Sequence, residues 1–83
     1  MNIRPLKKDL LEYIDKHSLG AKWGKARLLF EKNIRHTSLK TELLQPHWRG
    51  IYSFRIDQKY RALFFIKKDR IAEVFSITNH YKK

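Results

Sequence analysis

Two arginines sit on neighbouring apolar segments late in this chain. Arg55 lies in Tyr52-Ser53-Phe54-Arg55-Ile56, and Arg61 in Tyr60-Arg61-Ala62-Leu63-Phe64-Phe65-Ile66. A third segment ends in the adjacent pair His80-Tyr81. A guanidinium inside an apolar strand calls for an anion, because it grips phosphate or carboxylate through two parallel hydrogen bonds and is seldom buried alone. With Glu42, these groups are of the kinds that cleave RNA without a metal. A base takes the proton of the ribose 2′-OH, a cation stabilises charge building on the phosphate, and an acid protonates the leaving 5′-oxygen. The products are a 2′,3′-cyclic phosphate and a 5′-OH. Arg55 and Arg61 can supply the cation, His80 the acid or the base, Glu42 the other partner, and Tyr81 a ring that stacks on a base.

Each side chain also has an ordinary use. Arg55 or Arg61 can reach out from a sheet edge and pair with Asp57 or Glu73. His80 and Glu42 can be solvated, and Tyr81 can cap the core. His17, His36 and His47 lack both metal-ligand spacing and partner cysteines, so no metal site and no cofactor is expected.

The composition narrows the field. Nineteen Lys and Arg against eight Asp and Glu leave a formal charge of +11 on 83 residues. An excess of this size repels itself and implies a polyanionic partner. Nucleic acid fits best, since the basic residues are interleaved with aromatics and do not line one amphipathic helix. The absence of cysteine rules out disulfides and suits a reducing cytosol. No apolar run approaches the roughly 18 residues of a membrane span, and Met1-Asn2-Ile3-Arg4-Pro5 lacks the apolar region of a signal peptide. A cytoplasmic protein is expected.

The elements that must hold these groups follow from periodicity. The 83 residues make one domain, 1–83, without repeats or a linker. Residues 2–4 can form a short edge strand ending at Pro5. Leu6, Leu10, Leu11 and Ile14 recur at helical spacing, and Gly20 is read as the stop. A second helix is expected over about 21–36, with Trp23, Ala26, Phe30 and Ile34 on one face and Leu29 beside them. Residues 37–50 read as irregular. Tyr52, Phe54 and Ile56 then alternate with polar residues, Tyr60 to Lys67 is apolar on both faces, and Ile71 to Thr78 alternates again, with Ile71, Phe75 and Ile77 on one side and Ala72, Val74 and Ser76 on the other. Short turns make these strands antiparallel neighbours. The expected fold is α+β: two N-terminal helices packed on one face of a small antiparallel sheet, a three-stranded C-terminal meander with a short N-terminal strand added. The other face is left as a shallow, basic, partly aromatic surface.

With these residues in hand, the chain resembles the RelE/ParE superfamily of toxins from bacterial toxin–antitoxin pairs. Gly50-Ile51-Tyr52-Ser53-Phe54-Arg55-Ile56 followed by Tyr60-Arg61-Ala62-Leu63-Phe64 is similar to the core pattern of that superfamily, and the closing His80-Tyr81 resembles the YoeB branch. The resemblance implies a ribosome-dependent mRNA endoribonuclease neutralised by an acidic antitoxin. It implies Glu42 as base, Arg61 as the clamp on the phosphate with Arg55 assisting, His80 as acid and Tyr81 as the orienting or stacking residue. Lys40, Arg49, Lys82 and Lys83 are candidates for RNA-backbone contacts, and Lys40 takes the place of Glu42 if the register slips. Two departures stand out. Phe54 occupies a position where YoeB-like toxins carry a second basic residue, and Lys82 and Lys83 extend past the closing tyrosine.

Two rival readings remain at this level. A ParE-like toxin would have the same fold and inhibit DNA gyrase without cutting RNA. A small basic RNA-binding protein would bind RNA with a steep salt dependence and cut nothing.

Overall fold

The computed structural model describes residues 1–79, so His80, Tyr81, Lys82 and Lys83 lie outside the described residues. The elements in order are β1 (Asn2–Ile3), α1 (Lys8–Lys16), α2 (Gly20–Lys32), β2 (Glu42–Leu43), β3 (Tyr52–Arg55), β4 (Arg61–Ile66) and β5 (Ile71–Thr78), with 3₁₀ turns at Thr37–Leu39 and His47–Arg49. The strands form one five-stranded sheet of order β1-β5-β4-β3-β2. Two features depart from the expected all-antiparallel meander. β1 pairs parallel with β5, and the segment read as irregular contributes β2, an antiparallel partner of β3.

The helix ends have local causes. Ser18, not Gly20, terminates α1. It adopts the left-handed conformation at φ 55°, while Leu19 N–H donates to the Ile14 carbonyl at 2.8 Å and Ser18 N–H to that of Asp15 at 3.1 Å. This is the paired-bond closure of a helix C-terminus, with Leu19 and Ile14 both buried in the core. Gly20 instead opens α2. That helix stops at Lys32, four residues short of the expected end. Asn33 is extended (φ −158°, ψ 98°), and its side-chain oxygen accepts from Arg35 N–H at 3.0 Å. A local bond of this kind offers the backbone an alternative to continuing the helix.

The helices cover one face of the sheet. Trp23, Ala26 and Phe30 of α2 and Leu10 and Ile14 of α1 enter the core, whereas Leu11 stays 52% exposed. Phe30 packs tilted against Phe54 and meets Phe64 edge-on, at centroid separations of 4.9 and 5.2 Å. Trp23 lies 6.0 Å from Phe54. Phe54 is therefore the centre of the core, turned away from the face that carries the arginines. Arg55 and Arg61, one position along on β3 and opposite it on β4, leave the sheet on the other face by the alternation of a strand, and Arg55, the last residue of β3, also lines a groove that reaches α2.

A bulge overturns the simple alternation expected for β5. Leu63 pairs with Ser76 and Phe64 with Val74, leaving Phe75 as the extra residue. Ala72 and Val74 before the bulge and Ile77 after it all face the core. Phe75 is re-aimed outward, where it stacks on Phe65 at 5.1 Å.

Candidate active site

The strand register assembles the site on the face opposite the helices. Partners in adjacent antiparallel strands present their side chains to the same side. Glu42 pairs with Ser53, Ser53 with Leu63 and Leu63 with Ser76, giving one row across four strands. Arg55 pairs with Arg61 and Arg61 with Thr78, giving the next. Glu42 and the two arginines, which the sequence places far apart, thus occupy adjoining rows. Two inter-strand spacings, about 10 Å, separate β2 from β4, a gap that long side chains reach across.

Arg61 is the anchor. Although charged, it is only 8% exposed. Its Nε and Nη2 both donate to Ser53 Oγ, at 3.1 and 2.8 Å, and Nη2 also donates to the Lys40 carbonyl at 2.8 Å. Ser53 is wholly buried, so its hydroxyl holds the guanidinium from beneath. Lys40 reaches the same group by its backbone, in the left-handed conformation at φ 46°, a strained geometry for a non-glycine residue that the surrounding structure must support.

Asp57 and Glu73, the acids that an ordinary surface bridge to Arg55 would use, are engaged elsewhere. Asp57 accepts from Lys22 Nζ at 3.0 Å and from the backbone N–H groups of Lys59 and Tyr60 at 2.8 Å each. Glu73 lies 3.5 Å from both Arg4 and Lys67. Among the described residues, no ion pair links Arg55 to an acid.

A cleft of about 430 Å³ lies between the segment that follows α2 and the β2 edge of the sheet, lined in part by Arg35, His36, Lys40, Glu42 and Tyr52. Lys40 and Glu42, alternatives for one role in the sequence, line it together. Arg35 and His36 were not singled out by the sequence. They reach the cleft because α2 ends early, and the Asn33 turn signal is the trace they leave. His36 Nδ1 accepts from Ser38 N–H at 3.1 Å, which leaves its proton on Nε2 when the ring is neutral. Arg49 is not brought to the site. It sits exposed in the β2–β3 connection, at the end of β3 away from Arg55. Beside it Trp48 is 84% exposed.

Among the described residues no group of His, Asp and Glu side chains is arranged to hold a metal ion, and no helix is long and apolar enough to cross a membrane.

Chemically, this arrangement offers a pre-oriented cation, a second cation in the adjoining strand and a carboxylate one row away. No protein-family model and no curated protein sequence matches the chain. Among solved structures it is similar to the YoeB dimer from Staphylococcus aureus, with a TM-score of 0.68 and 20% identity over 96% of this chain and 94% of that one. It is likewise similar to the heterotetrameric YoeB–YefM toxin–antitoxin complex from Staphylococcus aureus, with a TM-score of 0.66, 20% identity and the same coverage. The likeness is one of fold: two helices on a five-stranded sheet, carried over nearly the whole length of both chains.

Proposed function

We propose that this chain is the toxin of a type II toxin–antitoxin pair, an endoribonuclease that cuts mRNA on the ribosome. The observation that carries the reading is Arg61. A buried guanidinium fixed by Ser53 and the Lys40 carbonyl, on a face shared with Arg55 and Glu42, is a group held ready for a phosphate. The shared fold with YoeB structures supports the same reading.

In this account Glu42 takes the proton from the ribose 2′-OH. The 2′-oxygen attacks the adjacent phosphorus, and the bond from phosphorus to the 5′-oxygen breaks. Arg61, with Arg55 assisting, binds the phosphate oxygens as negative charge builds on them. His80 delivers a proton to the departing 5′-oxygen, and Tyr81 orients or stacks on a base. The products are a 2′,3′-cyclic phosphate and a 5′-OH. Lys40, Lys82 and Lys83 contact the RNA backbone. No metal or cofactor takes part. A toxin of charge +11 is neutralised by an acidic antitoxin, and the similar YoeB structure in complex with its antitoxin YefM supports a protein partner of this kind.

The test is induction in bacteria with mapping of mRNA 5′ ends by primer extension, alongside His80→Ala. New ends inside translated codons that vanish in the variant are expected. Growth arrest that depends on gyrase and yields no such ends would replace this reading with a ParE-like one. Harmless expression with salt-sensitive RNA binding would replace it with a non-catalytic RNA-binding protein.

A further inference from the structure

We infer that the groove between α2 and the β3–β4 turn is a second RNA-backbone site, which grips the strand next to the phosphate held at Arg61. The inference rests on the proposed nuclease reading and extends it to residues beyond the cleavage site. The groove is about 490 Å³ and is lined by Lys22, Lys25, Ser38, Arg55 and Gln58 over an apolar floor. Arg55 joins it to the site, since it is the direct cross-strand partner of Arg61. Like charges directly opposite in a sheet are destabilising. Their α-carbons are about 5 Å apart in such a pair, so an anion bound in the groove at Arg55 would lie next to the Arg61 position and ease the repulsion on the Arg55 side.

The charges in the groove divide into two sets. Lys22 is occupied by Asp57 at 3.0 Å, and Asp57 is the one acid among the described residues that line the groove. Lys25 and Arg55 form no ion pair among the described residues, so the groove carries net positive charge facing solvent. Ser38 and Gln58 add neutral hydrogen-bonding groups to the lining. Cations set among neutral donors suit a sugar–phosphate strand. Continuity with the arginine pair favours RNA over an acidic peptide, which needs no such alignment.

Equilibrium binding of a fluorescent single-stranded RNA, 2′-O-methylated throughout so that it cannot be cut, tests this separately from nuclease activity. Lys25→Glu keeps the Lys22–Asp57 pair, and Lys8→Glu on α1 makes the same charge change away from the groove. The groove variant is expected to weaken binding about ten-fold, and its plot of log affinity against log salt is expected to flatten by about 0.7, the change for one phosphate no longer neutralised. The α1 variant stays within about two-fold of wild type, the remainder of a long-range charge effect. Equal losses in the two variants, or a loss seen with poly-glutamate but not with RNA, would overturn the groove assignment whatever becomes of the nuclease. Absence of mRNA cleavage with the Lys25 effect intact would instead overturn the nuclease reading and leave the groove standing.

Discussion

The hydroxyl of Ser53 accepts two hydrogen bonds from the guanidinium of Arg61, at 3.1 Å from Nε and 2.8 Å from Nη2. Ser53 sits eight residues earlier in the chain and diagonally across β3–β4, one row from the Arg55–Arg61 pair. It is fully buried, so water does not replace it. The relationship turns a long, rotamer-rich side chain into a fixed one, and this is the condition under which a cation stabilises a transition state without reorganising.

Removing that hydroxyl should therefore affect catalysis and stability together. Ser53→Ala leaves guanidinium donors short of a partner in a buried place, an expected destabilisation of about 1–3 kcal/mol. Denaturant unfolding measures it. Arg61→Lys keeps the charge but loses the fork, and the cleavage rate is expected to fall about 10²–10³-fold, the scale for one transition-state donor. Single-turnover assays on ribosome-bound mRNA read that loss.

The C-terminus of α1 gives a stability prediction independent of function. Ser18 holds a positive φ of 55°, which is costly for a residue with a Cβ and free for glycine. Ser18→Gly is expected to stabilise the protein by about 0.5–1 kcal/mol, and Ser18→Val to destabilise it. A drop in denaturation midpoint for the glycine variant would contradict the assigned helix ending.

The two tryptophans separate core from surface. Trp23 is buried against Phe54, and Trp23→Ala is expected to cost about 3–5 kcal/mol. Trp48 is 84% exposed, and Trp48→Ala is expected to stay within about 0.5 kcal/mol of wild type. Thermal unfolding of both variants is a direct comparison.

Much of this was legible in the sequence, and what was missed has identifiable causes. The Leu10/Ile14 and Trp23/Ala26/Phe30 spacings declared two amphipathic helices, and the change to period two after Gly50 declared the meander. β2 was not legible, because two residues carry no periodicity. The faces of β5 differ from a simple alternation because a bulge at Phe75 resets it, and nothing in the order of apolar residues marks the bulge. Arg61 and Glu42 were candidates by residue type. That Ser53 and the Lys40 carbonyl hold Arg61 depends on register and on one left-handed residue, which only the folded chain displays.

Acid should expose the contribution of the β3–β4 turn. Burial pushes the Asp57 carboxyl up, but hydrogen bonds from Tyr60 N–H, Lys22 and Lys59 N–H outweigh it, and the net shift is downward from 3.8. A depressed carboxyl supplies stability that is complete above its unfolded value and is lost as pH falls through the folded one. Wild type should therefore lose, below about pH 4, a stability increment that Asp57→Asn lacks at every pH. Parallel pH-stability curves for the two proteins in that range would contradict this role.

If Arg61 serves cleavage of mRNA, the ends of the RNA cut on ribosomes carry its mark. Purified protein is added to ribosomes holding an mRNA codon in the decoding site, with Arg61→Ala in parallel after a check of its fold by circular dichroism. A cut within that codon is expected, with a 2′,3′-cyclic phosphate on one fragment, a 5′-OH on the other, and a rate at least about 100-fold lower in the folded variant. Intact mRNA with the wild-type protein, or cutting by Arg61→Ala at the wild-type rate, would contradict it.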